Sequence, residues 1–232
     1  MIKRQIPNLI TLCNLACGVL SVYVALALGY PMQAALLICL GILFDFFDGL
    51  TARLLDVSSP MGKELDSLAD VVTSGVAPAA ILYRLTEQSF INYGTPWLAV
   101  FFLLIPLFAA YRLAKFNLDT RQSHSFLGLP VPSQALVWVG VALSQWSVVS
   151  GQWTVVAVVV LTIILDVLMV SELPLFSLKF NFKDLSWKTN SVQYIFLIGC
   201  AVLIALLRDW IALSAIILWY VLFSILTQRR HA

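Results

Sequence analysis

Residues 45–70 read DFFDGLTARLLDVSSPMGKELDSLAD, a stretch that sets four aspartates, Asp45, Asp48, Asp66 and Asp70, inside a strongly apolar chain. The 232-residue sequence is 61% hydrophobic and 11% charged, with a mean hydropathy of +0.94, far from the composition of soluble domains. Runs of about 20 apolar residues, each long enough to cross a hydrocarbon core as a helix, recur on both sides of the stretch. The expected fold class is therefore an all-α integral membrane protein, with residues 45–70 joining its second and third helices. A charged side chain near the bilayer centre costs about 2.5 to 3.5 kcal/mol, so four uncompensated aspartates would cost roughly 10 to 14 kcal/mol. Positive charge is expected among them.

Outward from this stretch the pattern predicts a bundle of about eight transmembrane helices, over residues 6–29, 31–54, 62–86, 96–118, 131–150, 152–171, 192–208 and 209–228. Pro31, Pro96, Pro130 and Pro132 fall at or near proposed starts, where a missing backbone N–H does little harm. Lys3 and Arg4 ahead of an apolar run ending Ala25-Leu26-Ala27 resemble a secretory signal. The run is longer than usual and is interrupted by Pro7, Asn8, Thr11 and Asn14, which favours a retained first helix. With an even helix count and the N-terminus inside, twelve of the 14 lysines and arginines fall at cytoplasmic ends, leaving Arg84 and Arg208 outside. Both termini and the aspartate cluster are thereby expected on the cytoplasmic side of a multi-pass cell-membrane protein. A single membrane domain, 1–232, accounts for the chain. Cys13, Cys17, Cys39 and Cys200 lie in apolar segments without a CxxC pair and read as small buried hydrophobes.

Asp45 and Asp48 are three apart and Asp66 and Asp70 four apart, so on helices each pair projects from one face. Residues 52–62 contain Asp56, Ser58, Ser59 and Pro60 and read as a turn that makes the two helices antiparallel. Four carboxylates then converge. Oxygen-only ligands favour Mg²⁺, Mn²⁺ or Ca²⁺, and four of them suit two ions about 3.5 to 4 Å apart, an arrangement used for phosphate chemistry. Gly49 would let a phosphate approach the backbone, and Arg53 can offer phosphate a fork of hydrogen bonds. Two or three membrane aspartates alone would equally fit an ion or proton path, and Gly49 with Ala52 would fit plain helix packing.

The spacing Asp45-x2-Asp48-Gly49-x2-Ala52-Arg53-x8-Gly62-x3-Asp66-x3-Asp70 resembles, position for position, the signature of the CDP-alcohol phosphatidyltransferase family. The resemblance implies transfer of a phosphatidyl group from a CDP-linked lipid to an alcohol, with release of CMP, in a site open to the cytoplasm. It implies that Asp45, Asp48, Asp66 and Asp70 hold two divalent cations, Mg²⁺ or Mn²⁺, and that Asp70 is also the catalytic general base. It further implies that Gly49, Ala52, Arg53 and Gly62 line the nucleotide and its pyrophosphate, and that the protein is a homodimer. Five flanking blocks, IPNLITLCNLACGVLSV (6–22), ELDSLADVVTSGVAPA (64–79), YRLAKFN (111–117), FLGLPVPSQA (126–135) and LMVSELPLFSLKF (168–180), resemble the phosphatidylserine synthase branch. The implied substrates are CDP-diacylglycerol and L-serine among membrane lipids, with no nucleic acid partner.

An amino-acid acceptor needs a cation for its carboxylate. Arg112 and Lys115, three apart, can supply it together with Asn117, although both also suit plain cytoplasmic anchoring. Ser74 and Gly75, one turn beyond Asp70, would shape the acceptor pocket or serve close packing. Asn8 and Thr11 share a face of the first helix and would hydrogen-bond the cytidine or ribose, unless they only cap it. His124 and His231 form no catalytic set, and Asp166 is expected to pair with a loop lysine or arginine. Within the family, glycerol phosphate, inositol phosphate or an archaeal ether lipid are rival substrates. A cation transporter is the rival from another class, but it would usually place its carboxylates at the midplane in broken helices.

Overall fold

The computed structural model describes residues 3, 5–57, 59–118, 126–144, 151–175 and 187–228. Six helical spans are long and apolar enough to cross a membrane, and two shorter apolar helices accompany them. The protein is a multi-pass, all-α membrane bundle. Arg4, Arg121, Lys179, Lys183, Arg229, Arg230 and the histidines lie outside the described residues, as does Ser58 in the proposed turn.

Helix α1 (Gln5–Leu26) and helix α2 (Pro31–Leu54) form the first hairpin. Gly29 turns it with φ +74°, and Pro31 opens α2 at a position that needs no N–H donor. Alanines 25, 34 and 35 are fully buried in this contact and bring the backbones close, while Ser21 Oγ donates to the Ala34 carbonyl at 2.8 Å. The opposite face of α1, including Leu9, Val19, Leu20 and Tyr23, is exposed, as expected for a side that meets lipid.

Helix α3 (Pro60–Asp70) starts after a sharp turn in which Asp56 has φ +52°. Ser59 caps it, its Oγ accepting the Gly62 N–H at 3.0 Å, and Pro60 occupies the first turn. One continuous span of 33 residues, Pro60–Asn92, follows, broken in register by a π-turn at Val71–Val76 before helix α4 (Ala77–Asn92). The cause is local. Pro78 has no N–H to offer the Ser74 carbonyl, and the turn ahead of it widens so that Ala77 N–H reaches back to Val72 O. The helix thus runs six residues past the span to residue 86 that hydropathy predicts.

A 3₁₀ segment, Pro96–Leu103, leads into helix α5 (Leu104–Leu118). Helix α6 (Val131–Leu143) has 13 residues, about 20 Å of rise, so the expected span to residue 150 is not helical throughout. At Ser144 the backbone becomes extended, with ψ 145°. Helices α7 (Gln152–Val170), α8 (Trp187–Leu207) and α9 (Ile211–Gln228) complete the bundle, with α8 kinked at Asn190. A two-residue antiparallel bridge pairs Phe126–Leu127 with Pro174–Leu175 and ties the approach to α6 to the segment after α7.

Two apolar clusters hold the bundle. Phe90, Phe102, Ile105, Trp138 and Leu165 join α4 to α7, and Ile38, Ile81, Ala135 and Val139 join α2, α4 and α6. Gly128 illustrates how tight the packing is outside the site. It has φ +74°, and a Cβ there would stand 2.5 Å from the Met169 carbonyl and 2.8 Å from that of Ser171. Gly128→Ala is expected to destabilise the protein by about 2 kcal/mol or more, from left-handed strain plus steric overlap, measured as a lower unfolding midpoint in detergent.

Candidate active site

The α2 to α3 turn brings the aspartates together at one end of the bundle. Asp45 and Asp48 from α2 and Asp66 from α3 each offer a carboxylate oxygen, all within 4.8 Å of one another. Like charges at about 4 Å repel by roughly 4 kcal/mol per pair in an effective dielectric of about 20. Asp66 Oδ1 is buried and has no hydrogen-bond partner among the described residues. Three hard oxygens and an orphaned buried acceptor fit a divalent cation, which would remove both penalties. Asp48 is held for this task, since the Thr11 hydroxyl on α1 lies 2.5 Å from its Oδ2. Thr11 has only one proton, and the Pro7 carbonyl 3.0 Å away competes for it.

Asp70 stands outside this trio, although its charge is felt at Asp45 and it feels Asp66, Asp48 and Arg112. It is 8% exposed and is the last residue of α3 before the π-turn, with Asn14 Nδ2 donating to its Oδ1 at 3.4 Å. Arg112 on α5 is equally buried, its guanidinium 5.2 Å from the centre of the Phe116 ring. Arg112 thus supplies positive charge near the aspartates from a helix distant in sequence.

Beside the carboxylates is a cavity of about 250 Å³. Asn8, Thr11, Gly49, Ala52 and Gly62, five of the six residues expected at the CDP lipid, line it together with Asp48 and Asp66. The sixth, Arg53, folds back along its own helix, with Nε donating to the Gly49 carbonyl at 3.0 Å. A Cβ on Gly49 would meet nothing nearer than the Arg53 guanidinium at 3.8 Å, so this backbone is open. Ser59, expected only as a turn residue, and Lys63, expected only as cytoplasmic positive charge, also line the cavity. Their signal was their place beside Gly62, at the start of the helix that carries Asp66. A larger cavity of about 610 Å³ lies near Met32, Leu143 and Trp210. Met32 is in the first turn of α2, about 20 Å of helix from Asp45, and no aspartate of the cluster lines this cavity.

Residues 4–165 match the sequence profile of CDP-alcohol phosphatidyltransferases. The chain belongs to the CDP-alcohol phosphatidyltransferase family. All four aspartates and every residue around the cavity fall within the matched region. Relatives carry a more specific name. A Helicobacter pylori (strain 26695) protein named CDP-diacylglycerol–serine O-phosphatidyltransferase is 32% identical over 226 residues, 95% of this chain and 89% of that protein. A Bacillus subtilis protein of the same name is 38% identical over 130 residues, 56% of this chain and 70% of its own length. A Saccharomyces cerevisiae protein, again of that name, is 42% identical over 122 residues, covering 49% and 42% of the two chains.

The residues expected to bind the acceptor in this phosphatidyltransferase divide into two groups. Ser74, in the π-turn, is fully buried and its Oγ has no hydrogen-bond partner among the described residues, and Arg112 is buried near Asp70. Lys115 and Asn117 are engaged elsewhere. Lys115 Nζ is 3.5 Å from Glu172 Oε1 beyond α7, while Asn117 Nδ2 donates to Ser67 Oγ at 2.9 Å and its carbonyl accepts from Lys63 Nζ at 3.0 Å. These contacts stitch α5 to α3 and to the segment after α7. Asp166 is buried and accepts from Gln134 Nε2 of α6 at 2.7 Å; the loop residues Arg121, Lys179 and Lys183 expected to pair with it lie outside the described residues. Of the cysteines, only Cys17 is fully buried; Cys13 is on the exposed face of α1.

Proposed function

We propose that this phosphatidyltransferase moves the phosphatidyl group of CDP-diacylglycerol to the hydroxyl of L-serine, giving phosphatidylserine and CMP. The observation that carries the chemistry is the group of Asp45, Asp48 and Asp66 beside a cavity lined by Asn8, Thr11, Gly49, Ala52 and Gly62, with Asp70 next to it. Serine as the acceptor is supported by the names of the relatives and by Arg112, a buried cation suited to a carboxylate.

In this reading the nucleotide occupies the cavity, where Asn8 and the Thr11 and Ser59 hydroxyls offer hydrogen bonds. Gly49 lets the pyrophosphate approach the backbone. Arg53, anchored through Nε, keeps its terminal amino groups for phosphate oxygens. Two divalent cations, Mg²⁺ or Mn²⁺, held by Asp45, Asp48, Asp66 and Asp70, would supply charge neutralisation at the pyrophosphate and at the departing CMP. Arg112, with Ser74, holds serine so that its hydroxyl faces phosphorus. Asp70 takes the hydroxyl proton while the serine oxygen to phosphorus bond forms and the bond from phosphorus to the CMP oxygen breaks. Positioning carries much of the acceleration, since a carboxylate is a weak base.

The twelve-to-two distribution of lysine and arginine supports a site opening to the cytoplasm with both termini on that side. A single domain over residues 1–232 working as a homodimer completes the proposal. An acceptor panel tests it. Purified protein with CDP-diacylglycerol and Mn²⁺ is given serine, glycerol phosphate, inositol phosphate or inositol in turn, and CMP release is measured. Serine is expected to support release at least about 100-fold faster than the others, because a site built to pair with an acceptor's polar groups rejects analogues that leave them unpaired. Release driven by another member of the panel removes the serine assignment and leaves the family chemistry in place.

A further inference from the structure

Asn14 lies one helical turn beyond Thr11 on α1, is fully buried, and is not part of the family signature in residues 45–70. It touches the site in two ways. Its Nδ2 donates to Asp70 Oδ1 at 3.4 Å, and its backbone carbonyl accepts from Thr73 Oγ1 at 3.0 Å. Asp70 and Thr73 flank the start of the π-turn, so one residue of α1 grips the carboxylate with its side chain and the widened turn with its main chain.

The fit around Asn14 leaves little room for it to move. A Cβ on Gly41 of α2 would come within 2.5 Å of Thr73 Cγ2 and 2.9 Å of Asn14 Oδ1, and one on Gly18 within 2.5 Å of Thr73 Oγ1. Two glycines on two helices are thus needed for the Asn14 to Thr73 contact to exist. The 3.4 Å bond is long and adds little stability, so its effect is directional. An aspartate carboxylate turns easily about χ2 and would otherwise present either oxygen to the reaction.

We propose that Asn14 is a positioning residue for Asp70, engaging Oδ1 so that Oδ2 is the oxygen turned to the acceptor's proton. The inference rests on Asp70 being the general base. Asn14 contacts neither substrate in this assignment; it acts through the carboxylate. A misplacement of about 1 Å in such a group costs about 100-fold in rate.

The test uses the purified full-length protein and two variants, Asn14→Leu, close in size but without the amide, and Asn14→Ser, which is too short to reach Asp70. Both are expected to lower kcat about 10- to 100-fold, while KM for CDP-diacylglycerol and for serine stays within about twofold. Mn²⁺ binding, read by electron paramagnetic resonance without turnover, should keep its stoichiometry. Introduced into Asp70→Asn, either change should cause no further loss of residual activity. Wild-type kcat in a folded Asn14 variant, or a full additional loss in the Asp70→Asn background, overturns the proposal while leaving Asp70 as the base. Normal turnover by Asp70→Asn alone overturns the base assignment, and this inference with it.

Discussion

Asp70→Asn is expected to lower phosphatidyl transfer by about 10²- to 10⁴-fold, the range that a positioned general base contributes, while the protein stays folded and still binds CMP. The substitution is isosteric, and the new amide oxygen can still accept from Asn14, so the end of α3 keeps its position. What is lost is basicity, together with the negative charge that Asp70 would bring to the cations. Asp70 does not line the nucleotide cavity and stands outside the trio of Asp45, Asp48 and Asp66, which is why nucleotide affinity should change little. Thermal unfolding, CMP binding and CMP release measured on one preparation separate the alternatives. Unchanged release with serine would end the role of Asp70 as base.

Removal of divalent cations should have an effect at least as large. With a chelator in excess, CMP release is expected to fall to background and to return when Mn²⁺ or Mg²⁺ is restored. The reason is electrostatic: the pyrophosphate brings further negative charge to a place where three carboxylates already lie within 4.8 Å. Without cations the nucleotide and the aspartates repel each other. Asp66→Asn removes the charge from a carboxylate whose buried Oδ1 has no hydrogen-bond partner among the described residues. It should weaken Mn²⁺ binding at least about 100-fold, beyond the 10- to 100-fold typical of losing an outer partner of a metal site. Full activity in chelator, or unchanged Mn²⁺ affinity in Asp66→Asn, would contradict the metal assignment.

Much of this arrangement was legible in the sequence because its determinants are local. The three- and four-residue spacing of the aspartates fixed a shared face, and Ser59 with Pro60 read as part of the turn before the third helix, which in fact begins at Pro60. Asn8 and Thr11 were readable as cavity residues because polar groups at helical spacing in an apolar helix need a reason to be there. The same logic applies to Asn14, one turn further along the buried stripe, which the sequence reading noted only as an interruption of the apolar run.

What escaped the sequence depends on contacts between distant elements. Hydropathy reports which solvent a segment prefers, not where the chain turns, so α6 was extended past Ser144 through residues of similar character. Pro78 was visible, but not that the π-turn it opens next to Asp70 would pack against α5 at Gly75, where Pro106 and Ala109 lie 3.2 Å from a would-be Cβ. The contacts of Lys115 with Glu172 and of Asn117 with Ser67 were not legible, because these partners are about 50 residues or more away. Arg53 had the right residue type and register, but its first hydrogen bond goes to its own helix.

The most direct measurement of the central claim is product analysis on the purified protein given CDP-diacylglycerol, isotope-labelled L-serine and Mn²⁺. The account predicts labelled phosphatidylserine and CMP in equal amounts, neither formed without serine or without the cation. CMP released with no labelled lipid, or phosphatidylserine formed in the presence of chelator, would contradict it.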